Sequence, residues 1–176
     1  PAQRATSSAP STCIGTAFVP AGASATVMEF PFSVSAKVRP CTGAASGMGR
    51  ATARLFTQEG SKIVAADINQ EGLERLKEEI NSNGGEVTVL RANMVKPAEL
   101  EKMFDIALDT YGTVDILVNN AGILDNMEAV GDVKDDLWQQ VMDVNLNAPF
   151  RATRRAINIM LAKNSGVIIN IASIGG

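Results

Sequence analysis

Thr42-Gly43-Ala44-Ala45-Ser46-Gly47-Met48-Gly49 is the stretch whose reading decides the fold, because it sets three glycines directly ahead of a helical pattern. A diphosphate is held by main-chain N–H groups at a helix N-terminus. Only residues without a Cβ let backbone come that close while the helix still packs on its strand. The spacing Gly43-x-x-x-Gly47-x-Gly49 is wider than G-x-G-x-x-G and harder to meet by chance than a lone glycine pair. The helix after it is expected to turn Leu55 and Phe56 to the core and to stop at Gly60. Asp67 stands 18 residues beyond Gly49, at the end of the next apolar run. A carboxylate there can accept hydrogen bonds from the 2′- and 3′-hydroxyls of an adenosine ribose and repel a 2′-phosphate, which favours NAD over NADP.

Working outward, residues 62–66 form a short apolar run between Gly60 and Asp67, as a strand buried on both faces does. Asn69 can cap the next helix, in which Leu73, Leu76 and Ile80 share a face and which Gly84-Gly85 ends. A strand is expected over residues 86–92. Pro97 then opens a helix with Leu100, Met103, Phe104, Ala107, Leu108 and Tyr111 on one face, stopped by Gly112. Residues 114–118 read as a strand. Helical patterning runs from about Lys134 through Leu161 with a break near residues 145–149, and residues 167–171 read as a final strand. Strand and helix alternate with short glycine-bounded connections, which implies a doubly wound α/β fold with a parallel sheet and right-handed crossovers.

Composition bounds the rest. The chain has 176 residues, 45% hydrophobic and 20% charged, enough for one buried core. A formal charge of −3, with Lys and Arg interleaved among acids, argues against nucleic acid as a partner. There is no His, which excludes Ser-His-Asp and Cys-His nucleophilic sites and His-ligated zinc. Cys13 and Cys41 are 28 positions apart, a spacing that suggests free thiols in a reducing compartment and no metal site. No apolar run approaches the roughly 20 residues of a membrane span, so no membrane partner is expected. Composition changes near residue 40: up to Pro40 there are eight Ala, six Ser, four Thr and five Pro, with Glu29 the single acid. Residues 1–36 are therefore expected to be a disordered leader or one of unrelated origin, with a faint organelle-import character, ahead of a domain over 37–176.

The residues carry a resemblance. TGAASGMG, Asp67, Asn119-Asn120-Ala121-Gly122 after a strand, Asn145 in a helical stretch and Ser173 after the last strand resemble the short-chain dehydrogenase/reductase family over roughly residues 41–176. The resemblance implies a Rossmann-type sheet, NAD(P)(H) as cofactor and hydride transfer between nicotinamide and an alcohol or ketone. It implies that Thr42 ties the glycine loop to the Asn119–Gly122 motif, that Gly43, Ser46, Gly47, Met48 and Gly49 face the diphosphate, and that Asn93, Met94, Asn119, Ala121 and Gly122 line the adenosine side. Asn145 would hold a water of a proton relay, and Ser173 would hydrogen-bond the substrate oxygen. It also implies a cytoplasmic homo-oligomer built on the long helix over 134–161.

The pattern fails in places. The family protonates its alkoxide with a Tyr whose phenol is acidified by a Lys four positions on, about 13 residues beyond the Ser (a family-pattern estimate). The lone Tyr here is Tyr111, whose fourth neighbour Asp115 should raise the phenol pKa. Lys37-Val38-Arg39-Pro40-Cys41 stands where an apolar first strand belongs, and Pro40 argues against normal central pairing. Asn93 stands where the family usually has an Asp contacting the adenine amino group. A sheet ending at residues 167–171 should expose an apolar edge. The expectation is the N-terminal part of an NAD(H)-dependent oxidoreductase, C-terminally truncated and inactive alone. The alternative is a non-catalytic nucleotide-binding or subunit-interaction module, and the Asn119–Gly122 motif counts against a methyltransferase.

Overall fold

The structure is a computed structural model that describes residues 37–173 and the backbone of one short strand, Cys13–Ile14. The rest of the leader expected over residues 1–36 lies outside the described residues. In chain order the elements are β1 (Cys13–Ile14), β2 (Val38–Thr42), α1 (Gly47–Gln58), β3 (Lys62–Asp67), α2 (Gln70–Ser82), β4 (Glu86–Arg91), α3 (Pro97–Tyr111), β5 (Ile116–Asn119), α4 (Asp135–Met142), a π-helical turn (Asp143–Asn147), α5 (Ala148–Ala162) and β6 (Val167–Asn170). The strands form one sheet in the order β1-β6-β5-β2-β3-β4, and every pairing is parallel.

Successive strand side chains point to opposite faces, and the apolar residues divide accordingly. Val64 and Ala66 of β3 join Val38, Leu90 and Leu117 on one face, covered by Leu100, Met103 and Phe104 of α3 and Ala152 and Ala156 of α5. Ile63 and Ala65 join Cys41, Val87 and Val118 on the other, covered by Ala53 of α1 and Leu73, Leu76 and Ile80 of α2. Two cores on one sheet give the doubly wound fold that the alternation implied. The helix signals act as expected. Asn69 Oδ1 accepts the Gly72 amide at 3.1 Å, Pro97 occupies the first turn of α3, and Gly112 ends it in the left-handed region at φ 75°.

Four local expectations are corrected. Pro40 does sit in a central strand, in a complete five-residue register with β3. Successive residues of a parallel ladder bond to opposite neighbours. The Lys37 carbonyl accepts from Lys62 of β3, whereas the Val38 carbonyl accepts from Asp115, just ahead of β5. Pro40 therefore turns its missing donor to the β5 side, where pairing is reduced to Cys41↔Val118 and the Val38 amide bonds the Asp115 carboxylate at 2.9 Å. Arg39 beside it is buried, stacks 4.1 Å from the Phe56 ring and donates to Ser61 Oγ; burial pulls its pKa down to about 10 against the opposing pull of Asp115.

Leu55 is 56% exposed, not a core residue. The buried positions of α1 are Gly49, Ala53 and Thr57, four apart, so the helix lies on the sheet through its small residues, and Leu55, two positions past Ala53, faces away. The break expected near residues 145–149 is the π-helical turn, through which the helix continues into α5 with Pro149 in its first turn. Finally, the outer edge of β6 is not open along its length, because Cys13 and Ile14 pair with Val167 and Ile168.

Candidate functional site

In a parallel sheet all strands end on one side, and here Thr42, Asp67, Asn119 and Asn170 are the last residues of β2, β3, β5 and β6. The chain leaves β2 for α1 on one face, while α3 and α5 cover the other. The crevice between the tips of β2 and β5 is thus the switch point where doubly wound sheets bind ligands. The glycine loop lies in it.

Thr42 and Asn120 fasten the loop. Thr42 Oγ1 accepts the main-chain amides of Asn120 and Ala121, each at 3.0 Å, which is the tie expected of Thr42. Asn120 Nδ2 returns the contact by donating to the carbonyls of Thr42 and Gly43, each at 3.0 Å. Gly43 has φ 65°, and a Cβ there would come within 2.9 Å of Ala121 Cα. A Cβ on Gly49 would collide with the Gly43 carbonyl and the Asn120 amide, so α1 starts against the loop only because position 49 is bare. Gly47, at φ 51°, has open space where a side chain would be. The first intrahelical bond of α1 is Arg50 N to Ser46 O, so the amides of Gly47, Met48 and Gly49 precede the ladder. Ser46, Gly47 and Met48 are exposed. Unpaired donors and the positive end of the helix dipole coincide, an arrangement that accepts an anion.

Asp67 stands against this loop. Its Oδ2 accepts the Ala45 amide at 3.0 Å and its Oδ1 the Asn69 amide at 2.9 Å. Each oxygen keeps a further lone pair, so the carboxylate is aimed yet still able to accept from a ligand hydroxyl. Next along the tips, the turn after β4 holds Asn93 and Met94. Asn93 Oδ1 accepts the Val95 amide at 3.1 Å, and Glu99 accepts the Asn93 amide at 2.6 Å. That bond, with Lys96, holds the Glu99 carboxyl below its ordinary range.

Asn119 points inward. It is 4% exposed and donates through Nδ2 to Asn170 Oδ1 at 2.8 Å and Thr153 Oγ1 at 3.2 Å. It joins Thr42, Met94, Ala121 and Ala148 around a small cavity, and Ala121, not Asn119, is the more open of the two. Asn145 lies in the π-helical turn. Its Oδ1 accepts the Ile123 amide at 2.9 Å and its Nδ2 donates to the Ile123 carbonyl at 2.8 Å, so the turn is buttoned to the segment leaving Gly122. Ser173 is exposed beyond β6, two residues after Ile171, whose amide bonds the Asn119 carbonyl at 2.9 Å. The structure thus brings every predicted residue to the strand tips.

Sequence reasoning missed Asn120 as the clamp, although it lies in the quoted Asn-Asn-Ala-Gly motif. It also missed Asn170 and Thr153, which carry no local signal. The cause of the Tyr111 shift is corrected as well. Burial raises its pKa most, with Glu86 adding and the 2.9 Å bond to Thr88 opposing; Asp115 pairs instead with Lys163 and the Val38 amide. Tyr111 is also at the wrong end. It meets Lys62 and Glu86, which open β3 and β4, whereas Asp67 closes β3. Its hydroxyl reaches Thr88, three residues short of Arg91 at the end of β4, which at about 3.3 Å each leaves it roughly 10 Å from the tips.

The short chain dehydrogenase family profile matches residues 37–176. Among curated proteins the chain is 40% identical over 136 residues to 3beta-hydroxysteroid dehydrogenase 2 of Eggerthella lenta, covering 77% of this chain and 52% of that protein. It is 37% identical over 140 residues to cyclohexanol dehydrogenase of an Acinetobacter species, covering 80% and 56%. Among solved structures, a short chain dehydrogenase/reductase of Burkholderia phymatum in complex with NAD superposes with a TM-score of 0.79 at 33% identity, over 81% of this chain and 51% of that one. The 3-ketoacyl-(acyl-carrier-protein) reductase of Brucella melitensis complexed with NADH gives 0.75 at 33%, over 81% and 60%. The chain spans about half the length of the curated relatives it matches.

Proposed function

Because the chain belongs to the short chain dehydrogenase family, we propose that its described domain is the NAD(H)-binding part of an oxidoreductase that interconverts a secondary alcohol and a ketone. The observation that supports this best is the Asp67 carboxylate bonded to the Ala45 amide inside the glycine loop, which puts a ribose acceptor beside a diphosphate cradle. A dinucleotide fits the residues present. Space is open at Gly47, the Gly47–Gly49 amides precede the helix ladder, and a second anionic group beside Asp67 would be repelled, which favours NAD over NADP.

In this reading Ser46, Gly47, Met48 and Gly49 hold the diphosphate, Asp67 accepts from the ribose hydroxyls, and Asn93, Met94, Ala121 and Gly122 border the adenosine. When bound, the nicotinamide ring gives or takes the hydride. Ser173 donates a hydrogen bond to the substrate oxygen and fixes its position. Asn145 has both ends of its amide on Ile123, so its side chain holds the loop. Its oxygen keeps a further lone pair and its Nδ2 a second hydrogen, with which it holds the water of a proton relay. The whole protein is a cytoplasmic homo-oligomer. The exposed Trp138, Leu146 and Phe150 along α4, the π-helical turn and α5 support self-association there.

The 176 residues by themselves turn over little. Tyr111, the one tyrosine, faces the opposite end of the strands, and this favours a second reading, a nucleotide-binding or subunit-interaction module. Calorimetric titration with NAD, paired with an alcohol-oxidation assay, decides. Binding on the order of micromolar with negligible turnover is expected. A folded chain that binds no NAD refutes the dinucleotide reading, and turnover within tenfold of full-length relatives refutes the claim of inactivity.

A further inference from the structure

We propose that the two-residue strand β1 is an edge guard: by holding the outer side of β6 it keeps a second copy of the chain from extending the sheet there. This goes beyond the dinucleotide reading and is independent of it, since it concerns the edge of the sheet and not the strand tips.

The direction of the main-chain groups of β6 decides what its edge can do. The Val167 amide bonds the Asp115 carbonyl at 3.0 Å and the Ile171 amide bonds the Asn119 carbonyl at 2.9 Å, so residues 167, 169 and 171 turn their groups to β5. Alternate residues of a parallel strand bond opposite neighbours, which sends the amides and carbonyls of Ile168 and Asn170 to the outer side. There β1 meets the strand in register, Cys13 with Val167 and Ile14 with Ile168. Because Ile168 turns both groups outward, its partner Ile14 turns its own away, and Cys13 is the residue whose amide and carbonyl face β6.

Left bare, that edge is self-complementary. Val167-Ile168-Ile169-Asn170-Ile171 carries no charge and no proline, and all but Asn170 are β-branched, so it lacks the devices by which exposed strands resist pairing. A two-fold axis beside Ile169 would set Ile168 against Asn170 of the second copy in antiparallel register, and Asn170 against Ile168 of the second copy. These are the outward residues, so each pair exchanges both of its main-chain bonds. A second copy thus offers more bonds than β1 does, but it must first be met in solution. β1 is tethered, Ile14 standing 24 positions before Val38 of β2. A tether of that kind gives an effective concentration on the order of millimolar, above that of free chains, so β1 holds the edge.

The test compares the full chain with Cys13→Pro, which removes the amide that Cys13 offers to β6. Hydrogen exchange is read by NMR in dilute solution, and size by sedimentation velocity in concentrated solution. In the wild type the Ile168 amide is expected to exchange at least about tenfold more slowly than an unstructured amide. In Cys13→Pro it is expected to exchange about tenfold faster than in the wild type, while the β5-facing amides of Val167 and Ile169 hold their rates. The same variant is expected to sediment as a larger species, and adding Val167→Lys, a charge on the strand edge, to return it to wild-type size. A wild type whose Ile168 amide exchanges freely overturns the proposal, whether or not the variant folds. So does a Cys13→Pro chain that leaves that amide protected or keeps the wild-type size, or one whose association survives Val167→Lys. NAD affinity is expected to be equal in the wild type and Cys13→Pro, so none of these failures touches the dinucleotide reading.

Discussion

Gly49→Ala tests the packing on which the site depends, because two effects of known size oppose each other. In an exposed helix, Gly to Ala stabilises by up to about 1 kcal/mol. At position 49 the new Cβ would strike the Gly43 carbonyl and the Asn120 amide. To make room, Asn120 must leave both of its carbonyl partners, at about 1 kcal/mol each, and the overpacking itself costs about 1–3 kcal/mol. The net expectation is a loss of about 2–4 kcal/mol, or a fall in Tm on the order of 10 °C for a chain of this size. Gly47→Ala is the comparison. Its Cβ meets nothing within 4 Å, so its stability cost is only that of a left-handed φ of 51°, about 1 kcal/mol. Yet that Cβ occupies the space where a diphosphate would lie. Urea denaturation and titration with ADP-ribose should therefore separate the two variants: Gly49→Ala is the less stable, while Gly47→Ala stays folded and loses binding. A Gly49→Ala protein as stable as the wild type, or more so, would refute the argument that loop and helix meet through a bare position.

Asp67→Ala should cost about 1–3 kcal/mol by stranding the Ala45 and Asn69 amides, weaken NAD at least about tenfold and abolish discrimination against NADP, as read by titration of both dinucleotides. Lys163→Met should lower stability in urea by about 1–2 kcal/mol, less than a fully buried pair would lose, because Lys163 keeps 28% side-chain exposure and Asp115 retains the Val38 amide. Burial, with Asp67 adding, pushes the Cys41 thiol up to about 12. The folded state thus keeps a proton that the unfolded chain releases near pH 9, so this contribution is intact below about pH 9 and is lost as pH rises toward 12. Stability of the wild type relative to Cys41→Val should fall across that window, a difference that leaves out the opposite slope from Arg39; a flat difference would contradict the burial argument. Asn145→Ala should speed hydrogen exchange at the Ile123 amide about tenfold, as mass spectrometry of that segment can show.

The alternation of elements, the glycine loop and Asp67 were legible because each is a local pattern: a period, a spacing, a residue type at a turn. Leu55 was misread because α1 meets the sheet through Gly49, Ala53 and Thr57, so the buried face is the one with the smallest side chains and hydrophobicity marks the wrong side. Pro40 was misread because its effect depends on which neighbour each residue of β2 bonds, and that is settled only once β3 and β5 flank it. Asn120 and Asn119 look alike in sequence. Strand alternation sends one onto the loop and the other into the interior, where Asn170 and Thr153 await it from distant segments.

The buried amide of Asn119 also decides something about assembly of the sheet. Most inward side chains of β5 and β6 are Ile, Leu and Val, which pack nearly as well if one strand slides along the other. Asn119 and Asn170 face each other across the ladder, and only in that alignment does each find its partner. Sliding β6 by one residue would set an isoleucine against Asn119 and flip the whole strand to the other face, breaking the amide pair and leaving Asn119 with Thr153 alone. One polar pair thus acts as a notch among interchangeable hydrocarbons, and it sets the height at which the chain emerges toward Ser173.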